Sequence, residues 1–212
     1  MTPRPYRMGR RQAAVDKTRA RIVAAARRLL LARRPTEFSL EGVARRARVT
    51  RMTVYHRFGS RRELLEALFD ELAAEGGMSH LRNAFQQPDA EQALADYVAT
   101  FVRFWSSGRL IHRRLRAQGV LDPELERALA ARQEWRRQGL RVVAGRLVQR
   151  PADDLIDVLF TLTSFETFDT LAGGTRTPAQ VTSLVLGLVR GALGLALPSP
   201  TLPKSSRNRS AG

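Results

Sequence analysis

Apolar residues recur at three- and four-residue intervals along most of the chain, and no segment alternates apolar and polar residues as a β-strand would. This pattern predicts an all-α fold. The first apolar stripe lies on a helix over residues 15–32 and consists of Ile22, Val23, Ala26, Leu29 and Leu30. We expect Pro35 to end this helix and Phe38 to pack the following loop against the next one.

Residues 39–75 predict three more helices, each with a hydroxyl residue that can cap its start: Ser39, Thr50 and Ser60. Glu63 follows Ser60 at the spacing of a capping box. The apolar period breaks and restarts around Arg48 and Val49, which predicts a tight turn between the first two helices. The inward positions on the three helices are Leu40, Val43, Ala44 and Ala47, then Val54 and Phe58, then Leu64, Leu65, Leu68, Phe69 and Leu72.

The second of these helices spans residues 51–57 and turns a largely polar face away from the predicted core. That face holds Arg51, Met52, Thr53, Tyr55, His56 and Arg57. Guanidinium groups and hydroxyls hydrogen-bond to base edges in a major groove, and a methyl-compatible side chain suits the same surface. The segment therefore predicts a helix-turn-helix that binds DNA.

The same residues closely resemble the N-terminal domain of the TetR (tetracycline repressor) family of bacterial transcription regulators, over about residues 14–72. The most specific features are the spacing of Thr53, Tyr55 and Phe58, the Ser60 and basic residue that follow, and Phe38 two residues before its helix. The resemblance implies a DNA-binding domain followed by a helical domain for ligand binding and dimerisation.

Two positions depart from the family pattern. Arg48 stands where the family generally has the turn glycine, and a left-handed conformation there costs about 1 kcal/mol more than with glycine. Met52 replaces a small residue on the reading helix.

Geometry and the resemblance together assign roles within this domain. The predicted base-contacting residues are Arg51, Met52 and Thr53. They occupy the N-terminal turn of the reading helix, which enters the groove deepest. The predicted phosphate-contacting residues are Ser39, Thr50, Tyr55, His56 and Arg61. The alternative for His56 is a surface position without a function.

The Gly76-Gly77 pair predicts a boundary between a DNA-binding domain over residues 14–76 and a helical domain over residues 77–197. The second domain has predicted helices over residues 89–106, 109–118, 123–149, 152–171 and 178–195. Asp122 with Pro123 and the segment from Thr177 to Gln180 supply start signals, while Pro151 and the Gly173-Gly174 pair supply stop signals.

Both chain ends lack an apolar period. Residues 1–13 contain four arginines and are expected to form a disordered basic arm, which either lies in the minor groove or is a solvated tail. Residues 198–212 are rich in serine, proline and arginine and predict a disordered tail.

Charge is distributed unevenly along the chain. Residues 1–66 hold 18 basic and 5 acidic residues, whereas residues 67–197 hold 15 of each. Phosphate neutralisation requires a basic segment of this kind, while a surface that serves only solubility spreads its charge more evenly. The charge pattern therefore supports DNA binding.

The last two predicted helices are more apolar than the surface of a monomer allows. The predicted dimer interface consists of Leu155, Leu159, Leu162, Val181, Leu184, Val185, Leu188 and Gly191. Burial inside a single chain is the alternative. The resemblance implies that these two helices form a four-helix bundle with those of a second subunit, and such two-fold symmetry matches a palindromic operator.

Aromatic residues on several helices of the second domain predict an apolar ligand cavity. Its candidate lining residues are Phe101, Phe104, Trp105, His112, Trp135, Phe160, Phe165, Phe168 and Glu166. The alternative is that the aromatic residues are simply core. Glu166 and Asp169 either offset a cationic ligand or pair with an arginine across the dimer.

Motifs for other chemistry are absent from the sequence. There is no P-loop, G-x-S-x-G, H-E-x-x-H or cysteine, and the three histidines are far apart in sequence. We therefore expect no enzyme activity, no cofactor and no metal site. The chain has no apolar run of 18 residues, and its N-terminus has no apolar signal-peptide core, so we expect a cytoplasmic protein without a membrane partner.

These patterns predict a homodimeric transcription regulator of the TetR type that binds double-stranded operator DNA. The preferred form is a repressor released by a small apolar or amphipathic effector. A ligand-independent regulator and a sequence-tolerant architectural DNA-binding protein are the alternatives. The architectural protein should lack a neutral body with a dimer surface, and a helical enzyme would need a polar cluster that the second domain does not show.

Overall fold

The computed structural model describes residues 6–32 and 38–195, with side chains from Gln12 onward. Within these residues the chain forms eleven α-helices, one short 3₁₀ turn and no strand, which confirms the predicted all-α fold. The helices are α1 (Tyr6–Leu30), α2 (Leu40–Ala47), α3 (Arg51–Phe58), α4 (Arg61–Glu75), α5 (Leu81–Gln86), α6 (Ala90–Ser107), α7 (Arg109–Gly119), α8 (Pro123–Ala144), α9 (Asp153–Leu162), α10 (Phe165–Ala172) and α11 (Pro178–Ala192). Among them, none has both the length and the hydrophobicity needed to cross a bilayer.

The N-terminal domain packs α1 to α4 around one apolar core. All five residues of the predicted α1 stripe are buried, as are the predicted inward residues of α3 and α4. On α2, Val43, Ala44 and Ala47 are buried, while Leu40 is half-buried. The same core continues into Ile111 of α7 and Leu125 of α8. The first and second domains therefore share apolar packing.

One residue of the turn between α2 and α3, Arg48, has a left-handed backbone conformation. Arg48 has φ 54° and ψ 49°, and its backbone N–H donates to the Arg45 carbonyl at 3.2 Å. The N–H of Val49 donates to the Ala44 carbonyl at 3.0 Å. These bonds satisfy carbonyls at the end of α2. A non-glycine residue thus holds a conformation that its Cβ disfavours.

Hydroxyl caps explain where α2, α3 and α4 begin. Ser39, Thr50 and Ser60 each accept a hydrogen bond from a backbone N–H within the first turn of their helix. The predicted capping box at Ser60 is only half formed, because Glu63 gives its backbone N–H at 3.1 Å without a return bond from its side chain. The capping box from Thr177 to Gln180 at the start of α11 is complete.

The first helix begins earlier than predicted. Its start at Tyr6 makes residues 6–13 helical, so the prediction of a disordered arm is wrong for this part, and residues 1–5 lie outside the described residues. Residues 10–14 read Arg-Arg-Gln-Ala-Ala, and these types favour helix without any apolar stripe. The tail over residues 198–212 also lies outside the described residues.

Three further differences concern the second domain. The predicted helix over residues 152–171 is broken into α9 and α10, because Ser164 leaves the helical conformation and accepts a hydrogen bond from the Thr167 N–H at 3.2 Å as a new N-cap. Residues 77–89, for which no helix was predicted, contain a 3₁₀ turn and the six-residue α5. In addition, α8 ends at Ala144 and not near residue 149.

The second domain has its own core between α5, α6 and α8 on one side and α9, α10 and α11 on the other. Close packing of α6 on the end of α4 depends on Gly76. A Cβ at this position would lie 3.0 Å from the Cα of Phe104. The glycine thus allows α4 to lie directly against the second domain.

Candidate functional site

The helix α3 is held in place through its buried face. Val54 and Phe58 are buried, and Gly59 ends the helix in a left-handed conformation with φ 75°. The guanidinium of Arg19 on α1 lies 5.3 Å from the centroid of the Phe58 ring. Because this face is fixed, the opposite face has a defined orientation toward solvent.

The solvent-facing side of α3 combines cationic, aromatic and apolar groups. Its exposed side chains are Arg51, Met52, Tyr55, His56 and Arg57. Met52 is 59% and Tyr55 54% exposed, unusually high values for side chains with so much apolar surface. Packing within the chain does not account for their position, whereas contact with a groove would.

Two predicted contact residues are also caps. Ser39 Oγ accepts from the Gly42 N–H at 3.1 Å, and Thr50 Oγ1 accepts from the Thr53 N–H at 3.0 Å. The Thr50 and Thr53 hydroxyls are 2.8 Å apart, so one donates to the other and the second keeps its hydrogen for an outside acceptor. These hydroxyls lie at the starts of α2 and α3, where backbone N–H groups favour anions.

Arg61 differs from the prediction. Its Nε donates to the Phe38 carbonyl at 2.7 Å, one Nη group donates to Glu124 at 2.6 Å, and the other donates to Asp122. The guanidinium also lies 5.4 Å from the Phe38 ring centroid. It joins α4 to the start of α8, so in this conformation Arg61 is not available as a phosphate contact.

The hydrogen bonds of Arg61 lower the pKa of Asp122. Partial burial raises the pKa of Asp122, but the hydrogen bonds from Arg61 and from the Leu125 backbone outweigh this effect and leave the pKa below its ordinary value. A second ion-pair group joins the same two helices, since Arg132 of α8 donates to Glu66 at 2.6 Å and to Asp70 at 2.8 Å on α4.

A family model for bacterial regulatory proteins of the tetR family matches residues 22–68, which include α2, α3 and the first half of α4. The N-terminal domain belongs to the TetR family. The chain is accordingly a DNA-binding transcription regulator, and α3 is the reading helix of its TetR-type helix-turn-helix.

One solved structure shows a similar fold that extends beyond this domain. A TetR-family transcriptional regulator from Mesorhizobium loti MAFF303099 has a TM-score of 0.60 at 16% identity, over 85% of this chain and 96% of that chain. The transcriptional repressor QsdR of R. erythropolis, from the TetR family, has a TM-score of 0.41 at 22% identity over the same shares. No curated protein matches the chain.

A cavity of about 760 Å³ lies in the second domain of this TetR-type protein, directly against α4. Phe69, Leu72 and Ala73 of α4 form one wall. Five of the predicted pocket residues also line it: Phe101, Phe104, Trp105, His112 and Trp135. Trp135 is 78% exposed and lies at the mouth, so it is not a core residue.

The other four predicted pocket residues lie elsewhere. Phe165 packs edge-on against Trp105 from behind, at 5.8 Å between centroids, and Phe168 belongs to the core beneath it. Phe160 and Glu166 lie on a separate, shallow depression on the far side of Arg136.

Glu166 and Asp169 pair with arginines of their own chain. Glu166 accepts from Arg116, and Asp169 accepts from Arg109 and, at 2.8 Å, from Arg113. These pairs join α7 to α10. Both predicted roles are wrong for these carboxylates. Their partners are arginines of α7 in the same subunit, so they neither offset a cationic ligand nor pair with an arginine across a dimer.

The predicted dimer residues fall into three groups by burial. Leu159, Val181 and Val185 are buried within the chain and belong to its core, which corrects their assignment to an interface. On the outer face of α11, Leu184 and Leu188 are 42% and 47% exposed, and Gly191 is exposed as well. Leu155 and Leu162 are half-buried.

Sequence patterns missed three residues that matter for the cavity. Arg136 is buried beside it, and Glu66 pairs with Arg132 in its wall. A signal was available, because residues 132, 136 and 140 are each four apart and Leu140 is a buried position of α8. The spacing places both arginines on the inward face.

Proposed function

We propose that this TetR-type regulator is a homodimeric repressor that a small molecule releases from its operator. The observation that carries the proposal is the position of the cavity. Its wall includes α4, the helix that follows the reading helix α3 after a two-residue turn. A ligand in the cavity would contact α4, and DNA would contact α3, so the two would act on consecutive helices of the same domain.

For DNA, we propose that Arg51, Met52 and Thr53 face base edges and that Ser39, Thr50, Tyr55 and His56 face phosphates. The exposure of α3 and the caps at the starts of α2 and α3 support these roles. Arg61 is withdrawn from this set because of its ion pairs with the second domain.

For the dimer, we propose an interface centred on the outer faces of α9 and α11. Val158, Leu184 and Leu188 are between 42% and 47% exposed, a cluster of large apolar side chains that a partner would cover. A Cβ at Gly187 or Gly191 would have no neighbouring atom within 4 Å, so a second helix has room to approach this face closely. A two-fold pair of reading helices would suit half-sites one helical turn apart.

For release, we propose a linkage through the contacts between α4 and α8. Arg61 with Asp122 and Glu124, and Arg132 with Glu66 and Asp70, fix α4 against the helix that forms another wall of the cavity. A ligand that binds better to a second arrangement of these helices lowers operator affinity, and operator lowers ligand affinity by the same factor.

The experiment is a selection of binding sites from a random duplex pool with the full chain, followed by a screen for compounds that release the selected site. We expect inverted half-sites with centres about 34–36 Å apart. We also expect at least one apolar or amphipathic compound to lower affinity for that site. A pool without an enriched sequence would overturn operator recognition, and release by no compound of a broad panel would overturn the ligand.

A matched variant links release to the cavity. Trp135→Leu at the mouth should weaken the response to an active compound while operator affinity without it stays unchanged. Leu110→Ala, at an exposed position of α7 away from the cavity wall, should leave both quantities unchanged.

A further inference from the structure

The cavity is largely apolar, but five charged side chains also line it, and only some of them form ion pairs. They are Arg62, Glu66, Arg116, Arg132 and Arg136. Glu66 is the one carboxylate among these lining residues, and Arg132 neutralises it. Arg116 pairs with Glu166 outside the cavity. The cavity therefore offers no free negative charge to a cationic ligand.

Arg136 is a buried cation whose hydrogen-bond partners are all neutral. Only 4% of the residue is exposed. Its Nε donates to Gln133 at 2.9 Å, and its Nη1 donates to the Phe160 carbonyl at 2.8 Å and to the Thr163 hydroxyl at 2.7 Å. Within the described part of the chain, no carboxylate forms an ion pair with it, and its side-chain hydrogen bonds come from Nε and Nη1 but not from Nη2. The guanidinium lies 3.7 Å from the Phe160 ring centroid.

A charge in this position is expensive to leave unpaired. Burial lowers the pKa of Arg136 to about 10, so the guanidinium remains protonated at neutral pH. Transferring a cation into an apolar interior is unfavourable unless a counter-ion or full hydrogen bonding offsets it. The two N–H donors of Nη2 are the unoccupied part of this side chain, and their geometry suits a carboxylate.

His112 is the second polar group without a partner. It is buried, and its Nε2 makes no hydrogen bond within the described residues. Burial, and then the nearby Arg116, lower the pKa of His112 to about 4, so the ring is neutral at pH 7. A hydrogen bond from the ring to the Phe104 backbone opposes this shift. Because Nε2 is the unpartnered nitrogen, Nδ1 makes that bond. Nε2 has less than 1 Å² of accessible surface, so a ligand in the cavity meets the ring of His112 and not this nitrogen.

An aromatic row connects the two groups. The Arg136 guanidinium lies 6.0 Å from the Phe101 ring centroid, the Phe101 and Trp105 rings are 5.9 Å apart, and the Trp105 and His112 rings are 4.9 Å apart. A ligand that lies along this row has a cation at one end and an aromatic surface along the rest of its length. At the mouth, Trp135 and Val142 are exposed apolar side chains that suit entry of an apolar body.

We propose that the effector of this cavity is an amphipathic carboxylate. Its carboxylate binds Arg136 Nη2, and its apolar body lies along Phe101 and Trp105. This inference rests on the proposed ligand-responsive function and adds the chemical class of the ligand. A cavity of about 760 Å³ is within the range of sites for small organic molecules.

The test compares compounds of equal length on the full wild-type chain by calorimetry at pH 7: decanoate, decanol and decylammonium. Decanoate should bind about tenfold to a hundredfold more tightly than decanol, because the charge-assisted pair with Arg136 is absent from the alcohol. Decylammonium should bind most weakly. This comparison requires no variant and so does not depend on how a mutant folds.

Variants then assign the preference to Arg136. Arg136→Gln keeps a hydrogen-bonding side chain near Thr163 and should reduce decanoate binding to the level of decanol, with native circular dichroism as the folding check. Arg141→Gln removes the same charge from the outer face of α8, where Arg141 pairs with the exposed Asp153, and should change nothing. Arg136→Lys should retain part of the preference.

The outcomes separate this inference from the proposed function. Equal or tighter binding of decanol, or an unchanged preference in folded Arg136→Gln, overturns the carboxylate class even if some neutral compound releases DNA. Binding of none of the three compounds also overturns it. Failure of every compound in a chemically broad panel to release operator overturns ligand regulation itself.

Discussion

At the scale of single residues, the outer face of α3 holds the side chains that we propose for base contacts and for DNA-backbone contacts. Its outer face was predictable because helical periodicity fixes which positions point outward once Val54 and Phe58 are inward. The role of Arg61 was not predictable in the same way. Its partners Asp122 and Glu124 are about sixty residues away in sequence, and only the tertiary fold brings them to α4.

Arg51→Ala and Tyr55→Phe should affect DNA binding differently: the first should reduce affinity for the operator alone, and the second should reduce affinity for any duplex. If Arg51 donates two hydrogen bonds to a guanine, its loss should weaken binding to the selected operator by about 1–3 kcal/mol and leave binding to scrambled DNA little changed. If the Tyr55 hydroxyl contacts a phosphate, as proposed, its loss should weaken binding to both duplexes alike. Fluorescence anisotropy at fixed salt measures the four affinities. Equal losses on both duplexes for Arg51→Ala would remove it from base recognition.

Arg48→Gly should stabilise the chain. The left-handed conformation costs a non-glycine residue about 1–2 kcal/mol, while glycine loses about 0.5–1 kcal/mol more conformational entropy on folding. The free energy of unfolding should therefore rise by about 0.5–1 kcal/mol, as measured with urea.

Arg45→Gly is the control for that change, because Arg45 is exposed within α2 and has no left-handed conformation to relieve. It should destabilise by about 1 kcal/mol. A destabilising Arg48→Gly would show that the arginine side chain contributes more than its backbone strain removes.

At the scale of helices, the sequence predicts elements whose signals are local. The bounds of α2, α3, α6 and α7 lie within about one residue of the prediction, because caps and apolar stripes mark both ends. The break at Ser164 was missed, since its continuous apolar surroundings resemble one helix. The six residues of α5 are too few to show a period. The cavity was half predictable, because five of the nine predicted lining residues do line it and the packing of α9 and α10 on the second core is a tertiary feature.

The contact between α4 and α8 should weaken in acid. The folded-state pKa of Asp122 is below its ordinary value, so the stability it contributes is fully present above that ordinary value, about 3.9, and is lost as the pH falls through the lower folded value. Asp122→Asn removes the charge but keeps a good N-cap for α8.

The difference in free energy of unfolding between wild type and Asp122→Asn should be largest near pH 6–7 and should shrink below about pH 4. Adding Arg61→Ala to the variant should cost less than Arg61→Ala alone, since the two residues share one interaction. Denaturant titrations across this pH range measure both quantities. A difference that stays constant down to about pH 2 would contradict the assigned pairing.

At the scale of the whole molecule, the N-terminal basic segment suits DNA, and the outer apolar face of α9 and α11 suits the second subunit that we propose. Replacing Leu184 and Leu188 by Glu should give monomers that keep their helix content, because both side chains are largely outside the core. Light scattering measures the mass and anisotropy the loss of operator affinity.

The control for the dimer variant replaces Leu110 and Val120 by Glu, two residues that are 55% and 80% exposed on and after α7. These changes should leave the mass unchanged. A dimer that survives Glu at 184 and 188 and dissociates with Glu at 110 and 120 would move the interface to the other side of the molecule.

The central claim is that α3 reads a specific DNA sequence, and it is tested most directly by the ratio of two affinities. The full chain is titrated with a selected duplex and with a scrambled duplex of equal length and composition, at about 0.15 M salt. Sequence-specific readers bind their site about 10³-fold or more tightly than other DNA. We predict a ratio of at least that size. A ratio near one, with both affinities falling steeply as salt increases, would contradict the account and identify a protein that recognises only the DNA backbone.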